Sequence, residues 1–214
     1  MSAIPRDVQG RSRRRAIKFV FEICLIRPRA FAIAASLLVC CATGFTPTLS
    51  AQEQPIAPEA NPPGDIPDSQ VFIDYVSAMG FALKVPEGWA RSDRTDGAHF
   101  ADKYDGVDIS VALASAAPTA DSAARNEAAA LIKSGRAVKV SATKDVSLPA
   151  GRAVLIVYAS NSEPNEVTNK QIRLDNNRYL FYRAGRIATL TLSAPAGADN
   201  ADQWRLMAES FRWR

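Results

Sequence analysis

Apolar and polar residues alternate along FALKV, residues 81–85, in the manner of a half-buried β-strand, and Pro86-Glu87-Gly88 breaks the pattern ahead of Trp89. AHFADKY and VDISVALA follow, separated by Asp105-Gly106, a pair that tolerates positive φ at both turn positions, so residues 98–113 are predicted to form a β-hairpin. From Ala120 to Ser134 the period changes to that of a helix. Ala124, Ala128, Leu131 and Ile132 fall on one face, and Gly135 supplies a stop. Strand-like runs return at 137–142, 152–159, 169–174, 179–183 and 186–193, with Asn176-Asn177 and Ala184-Gly185 expected as two of the joints. In the last twenty residues Asp199 can cap a helix whose stripe is Trp204, Met207, Ala208 and Phe211. Strand, hairpin, helix, several strands and helix, in that order, predict an α+β fold: a mainly antiparallel β-sheet covered by helices.

Ahead of this domain the patterning is of another kind. Phe31 to Phe45, FAIAASLLVCCATGF, carries no charge; it follows Arg27 and Arg29 and leads into the small, polar TPTLSAQ. A basic region, an apolar region and a small-residue exit make a signal peptide. The apolar run falls short of the roughly 20 residues a spanning helix needs. Ala51 is the expected residue before the cleaved bond, with Ala42-Thr43-Gly44 as a second small-residue site. Cys40 or Cys41 would carry the lipid if the leader were instead a lipoprotein's, although the preceding residues are Val39 and Cys40. Ser12 to Lys18 weakly resembles a twin-arginine signal. A chain starting near Leu25 would read as a more compact leader. Residues 52–70, with Pro55, Pro58, Pro62, Pro63 and Pro67, read as an extended tether. The expected plan is therefore a leader over 1–51, a Pro-rich linker over 52–70 and one globular domain over 71–214.

Composition changes meaning once it is divided along this plan. The chain has 26 Lys and Arg against 22 Asp and Glu, but residues 1–51 hold eight of the basic and two of the acidic residues. The remainder is mildly acidic, which argues against nucleic acid as a partner. All three cysteines, Cys24, Cys40 and Cys41, lie in the leader. The domain can form no disulfide, and thiol catalysis and thiolate metal sites are excluded from it.

The remaining inventory is sparse. His99 is the only histidine, so a two-histidine metal site cannot form. No G-x-S-x-G elbow, P-loop or dinucleotide glycine pattern is present, and a triad would have to join His99 to a distant Ser and Asp. Asp102, Asp105 and Asp108 crowd the hairpin tip but depart from the calcium-loop spacing, and alternate strand residues face opposite ways. Arg173, Arg178, Arg183 and Arg186 interleave with Tyr179, Phe181 and Tyr182, superficially a stacking platform; outward-facing sheet arginines are the plainer expectation. Trp89 and Trp204 are expected in the core. Neither a cofactor nor a metal is called for.

Phe81, Leu83, Val85, Pro86, Gly88 and Trp89, together with a closing helix that ends in Ser210-Phe211, resemble the PsbP-like proteins, among them the DcrB-type lipoproteins. The resemblance covers residues 70–214 and implies an α/β/α sandwich used as a non-catalytic binding or assembly module in an envelope or lumen compartment. It implies no catalytic or metal-binding residue here.

The expected function is that of an exported, non-enzymatic module, periplasmic or secreted, that binds an envelope protein or a small ligand. Membrane contact would come only through an uncleaved or lipidated leader, the domain then facing the periplasm. Two alternatives make distinct structural demands. A hydrophobic-ligand carrier needs an enclosed apolar cavity of roughly 300 Å³ or more. A hydrolase of an envelope substrate using Asp102 or Asp108 with Glu166 needs two carboxyl groups facing one cleft, roughly 5 to 10 Å apart.

Overall fold

The computed structural model describes residues 53–58 and 63–214; Cys24, Cys40, Cys41 and Ala51 lie outside these residues, and with them the leader, its cleavage and its lipidation. The strands are β1 (Phe72–Ser77), β2 (Phe81–Pro86), β3 (Ala90–Arg94), β4 (Gly97–Asp102), β5 (Asp105–Leu113), β6 (Lys139–Leu148), β7 (Gly151–Asn161), β8 (Arg173–Arg183), β9 (Arg186–Pro195) and β10 (Arg212–Trp213). Helical turns α1 (Ala120–Ala123), a π-helical stretch (Ala124–Ala128) and α2 (Ala129–Ser134) run on as one rod, and α3 (Ala201–Ser210) precedes β10. Seven strands form one sheet in the order β3-β4-β5-β9-β8-β7-β6, and β1-β2-β10 form a second. Every pair is antiparallel. The α+β class expected from the periodicity is the class observed.

Alternation along the strands sorts the large sheet into two faces. Leu155, Tyr179, Phe181, Ala188, Leu190 and Leu192 belong to the main core, together with Phe81, Leu83 and Val85 of β2 and Trp204, Met207 and Ala208 of α3. Val154, Ile156, Tyr158 and Leu180 point the other way, against Ala123 and Ala128 of the first helix. Both faces of β7 and β8 are thus covered, and β7 reads as a nearly continuous apolar run.

The structure corrects several expectations. In the hairpin, Asp102 pairs with Asp105, so Lys103-Tyr104 make the turn, with Lys103 at φ 45°; Asp105 and Gly106 open β5. Pairing through either turn leaves Phe100 on the same face, so the apolar pattern does not choose between them. In the observed register the Asp105 side chain meets Asn200, as described below. Asn176-Asn177 is no joint, because β8 runs unbroken through it. The Asn176 amide donates to the Tyr158 carbonyl at 3.3 Å and to Ser160 Oγ at 3.0 Å, giving a turn-prone residue better partners inside the sheet. In the first helix Ala124 and Ile132 are exposed, and the buried pair is Ala123 and Ala128. Five-residue spacing is what a π-turn produces, and it rotates the stripe away from a regular 3.6 period. Strand β2 is more than half-buried: Ala82, expected to face outward, is as buried as Phe81 and Leu83.

Parts of residues 53–58 and 63–70 dock on the domain. Ile66 is buried in the core, and its N–H donates to Asn200 Oδ1 at 2.6 Å. Further upstream, the Ile56 N–H donates to Asn161 Oδ1 at 3.1 Å.

Candidate functional site

Both anchors lie at the end of the sheet where β5, β6 and β8 begin and β7 and β9 finish. Beside them is a half-open cleft of about 390 Å³ lined by His99, Lys103, Tyr104, Asn165, Lys170, Leu174 and Ser193 among others. Its floor depends on Gly106: a Cβ there would stand 2.8 Å from Ser193 Oγ and 3.3 Å from His99 Cε1, so any side chain would push apart the groups that meet there. One wall is the Lys103-Tyr104 turn.

The opposite wall is the loop between β7 and β8, which is held by its own polar groups. Asn165 Oδ1 accepts from the N–H groups of Val167 and Thr168 at 3.1 and 2.9 Å and from the Thr168 hydroxyl at 3.1 Å. The backbone closes the turn through Asn165 N–H to Lys170 O and Asn169 N–H to Asn165 O. At its base Ser162 N–H donates to Ile172 O, and Ile172 N–H donates to Ser162 Oγ at 3.1 Å. Asn165 thus organises the loop as an Asx-type turn. Val167 stands at the tip, 92 % exposed, and Tyr104 across the cleft is 46 % exposed.

His99 Nδ1 lies 3.5 Å from Asp108 Oδ2. Asp108 is meanwhile gripped by Arg94, Nη1 to Oδ2 at 2.6 Å and Nη2 to Oδ1 at 3.1 Å. Ser193 donates to the Gly106 carbonyl at 3.4 Å. The three residue types of a triad therefore lie near one another without the Ser-to-His hydrogen bond that nucleophile activation requires.

Asp105 points into the opposite side of β5. Its Oδ1 accepts from Asn200 Nδ2 at 3.4 Å, and the same amide donates to the Gly64 carbonyl at 2.8 Å while Asn200 Oδ1 takes the Ile66 N–H. Gln203 Nε2 adds a bond to the Ile66 carbonyl at 3.2 Å, and Asp199 N–H donates to Asp65 Oδ1 at 2.9 Å. Asn200, rather than the expected Asp199, is the residue preceding α3, and its side chain serves the docked segment instead of the helix. Burial, followed by the charges of Asp102 and Asp65, raises the Asp105 carboxyl to about 7.

The other residues singled out on the sequence separate. Asp105 and Asp108 occupy opposite faces of β5, and among the described residues no group of three or more His, Cys, Asp or Glu side chains is placed to hold a metal. Arg173, expected to face outward, is buried and donates to the Ala137 carbonyl at 2.9 Å and to Asn161 Oδ1 at 3.0 Å. Arg178 pairs with Glu127 on the first helix at 2.6 Å, and Arg186 lies over the Trp213 ring at 5.0 Å. Tyr179 and Phe181 face the core, so no aromatic platform forms with these arginines. Asn161, Asn200 and Gln203 were without any signal in the sequence.

The motif around β2 acquires definite roles. Phe81, Leu83 and Val85 point into the main core, and Gly88 sits at φ 86° in the turn before Trp89, which packs partly buried against that core. Ser210 Oγ accepts the Lys84 N–H at 2.8 Å and donates to Met207 O at 2.7 Å, fastening the end of α3 to β2.

This chain is similar in structure to a cyanobacterial PsbP protein. The solution structure of cyanobacterial PsbP (CyanoP) from Synechocystis sp. PCC 6803 matches with a TM-score of 0.47 at 15 % identity, over 71 % of this chain and 98 % of that one. LpqN of Mycobacterium tuberculosis, described as involved in cell envelope biogenesis, matches with a TM-score of 0.38 at 15 % identity, over 67 % of this chain and 89 % of that one. A crystallised protein of Bacteroides thetaiotaomicron matches with a TM-score of 0.43 at 11 % identity, over 66 % of this chain and 48 % of that one. No protein-family model and no curated protein matches the sequence.

Proposed function

We propose that the chain is an exported, non-enzymatic module, periplasmic or secreted, that binds an envelope protein or a small ligand through the cleft between the Lys103-Tyr104 turn and the β7–β8 loop. The observation that carries this reading is the pre-organised wall: Asn165 fixes the loop before anything binds, and pre-organisation lowers the entropic cost of association. Tyr104 supplies an exposed aromatic anchor on one side, and Lys103, Lys170, Glu163 and Asn165 supply charged and amide groups. A rigid aromatic flanked by polar groups is the composition of an interaction hot spot.

The interior favours this over a carrier. Between the large sheet and α3 the space is filled by Phe81, Phe181, Phe211, Trp204 and Met207, and the cleft beside Trp204 holds about 190 Å³. For carboxylate hydrolysis Asp108 is a poor candidate, because Arg94 already engages both of its oxygens. The test is capture from envelope fractions with the wild-type protein and with Tyr104→Ala/Lys170→Glu, alongside a ligand screen by thermal shift. A specific partner or a ligand-induced rise in Tm that the double variant loses supports the reading. Capture unaffected by the double variant, or neither partner nor shift, overturns it.

A further inference from the structure

At the end of β7, one side chain holds a piece of chain much as a neighbouring strand would. Asn161 Nδ2 donates to the Gln54 carbonyl at 2.9 Å while its Oδ1 accepts the Ile56 N–H at 3.1 Å, so a single amide engages the two backbone groups flanking Pro55. Arg173 Nη1 donates to the same Oδ1 from behind, which fixes the amide with its NH₂ toward the Gln54 carbonyl. The Glu53 carboxylate meets three donors: Asn161 Nδ2 at 2.9 Å and Gln171 Nε2 at 2.7 Å on Oε1, and Arg136 Nη1 at 3.3 Å on Oε2. Hydrogen bonds from Asn161 and then Gln171 hold this carboxyl below its ordinary pKa.

The receptor is built without the segment it holds. Asn161 N–H donates to Arg136 O, Arg173 to Ala137 O, Gln171 Nε2 to Ser162 O, and Arg136 pairs with Glu163 at 2.8 Å. The segment is held by these polar contacts rather than by burial: Gln54 and Pro55 are exposed, Glu53 and Ile56 are half-buried, and none of the four enters the core. A pre-assembled polar site filled by a surface segment with no buried side chain is one in which the occupant can be exchanged.

We propose that this site recognises an extended, glutamate-bearing segment of another polypeptide, and that residues 53–56 occupy it in cis until displaced. Recognition would read two backbone groups around a proline and one carboxylate two residues before it. Arg136 sets the charge preference, Arg173 orients the Asn161 amide, and Gln171 adds directional specificity that a bare cation lacks. Because the resident segment is tethered, its effective concentration is roughly millimolar, and a free peptide competes poorly against it. The proposal goes beyond the cleft reading, since its receptor groups are Arg136, Asn161, Gln171 and Arg173.

The test uses the full chain and a fluorescently labelled peptide, Gln-Glu-Gln-Pro-Ile-Ala-Pro, copying residues 52–58. Anisotropy titrations compare the wild-type protein with Glu53→Lys, whose own segment no longer suits the site. The expected result is at least tenfold tighter peptide binding to Glu53→Lys, lost when the peptide glutamate is replaced by lysine and lost again when Asn161→Ala is added. Should Asn161→Ala melt early, Gln171→Ala in the same background is expected to weaken binding about tenfold in a folded protein. Equal binding to wild type and Glu53→Lys, no binding to either, or indifference to the peptide glutamate overturns the proposal. Tyr104→Ala is expected to leave peptide binding unchanged, so a failure of the cleft reading and a failure of this one give different results.

Discussion

The rings of Phe181 and Phe211 stack with centroids 4.1 Å apart and planes 19° from parallel. Phe81 lies with its centroid 6.1 Å from that of Phe211 and its plane 24° from parallel, and Trp213 meets Phe211 edge-on at 5.4 Å. Phe211 lies between α3 and β10, so one side chain joins the large sheet, the small sheet and the C-terminal helix. Phe211→Ala is expected to cost about 3–5 kcal/mol, as large truncations of buried aromatics do. Phe211→Leu should cost less than half as much. Guanidinium unfolding followed by tryptophan fluorescence measures both; similar losses for the two variants would mean that the ring contacts, rather than the filled volume, carry the effect, and no loss for Phe211→Leu would contradict a role in stacking.

Asp105 gives the fold a pH dependence of definite sign. Its carboxyl is raised to about 7 in the folded state, first by burial and then by Asp102 and Asp65, whereas an unfolded Asp titrates near 4. Between those values the native state holds a proton that the unfolded state has lost, so this group's contribution to stability falls as pH rises from about 4 to about 7 and stays low above. Asp105→Asn, which keeps the neutral shape and the bond to Asn200, is expected to raise stability by roughly 2 kcal/mol at pH 8 and by little at pH 4. Thermal unfolding across that range checks it; a pH-independent difference would exclude the carboxyl as its source.

Two glycines should respond very differently to alanine. At Gly97 a Cβ would lie 1.8 Å from the Ile109 carbonyl oxygen, an overlap that only separation of β4 from β5 relieves. Gly97→Ala is therefore expected to cost at least about 3 kcal/mol, seen as insoluble protein or an early transition. Gly88 has open space around its Cβ position but sits at φ 86°, and Gly88→Ala should cost only about 1 kcal/mol. Urea midpoints for the two variants compare steric exclusion with backbone strain in one molecule.

How much of this was legible in the sequence follows from how far apart the deciding groups lie. The two strands of the hairpin, the extent of the first helix and the stripe of Trp204, Met207, Ala208 and Phe211 were readable because periodicity is a local property, whereas the hairpin's turn and the first helix's buried face were not. The Ala184-Gly185 joint was readable too, with both residues at positive φ between β8 and β9. Asn176 and Asp105 misled because their turn chemistry is overruled by partners on other strands or on the segment before α3. The docked segment was invisible for the same reason: its anchors, Asn161 and Asn200, lie 105 and 134 positions along the chain from the backbone groups they bond. A proline-rich stretch without large apolar residues gives no local sign that distant amides await it.

The link between the first helix and the sheet can be tested on Arg178 and Glu127. Their ion pair spans 2.6 Å, and Arg178 Nε also donates to Thr191 Oγ1 at 3.0 Å, which aims the guanidinium. Both side chains are partly solvated, so a double-mutant cycle with Arg178→Met and Glu127→Gln is expected to give a coupling of about 0.5–1 kcal/mol that shrinks in 1 M salt. Coupling near zero at low salt would mean that the apolar contacts of Ala123 and Ala128 alone seat the helix.

Strand β6 borders the large sheet, and its pairing with β7 slips by one residue between Val140 and Ala142. The extra residue, Ser141, turns its hydroxyl back onto the Val157 carbonyl at 3.1 Å, and Lys139, Lys144 and Asp145 are exposed along the same strand. A bulge and a row of charges are the devices by which natural sheets discourage a stranger's strand from adding to the ladder. At high concentration, self-templated growth from that border is accordingly disfavoured, and the sheet ends where its sequence stops it.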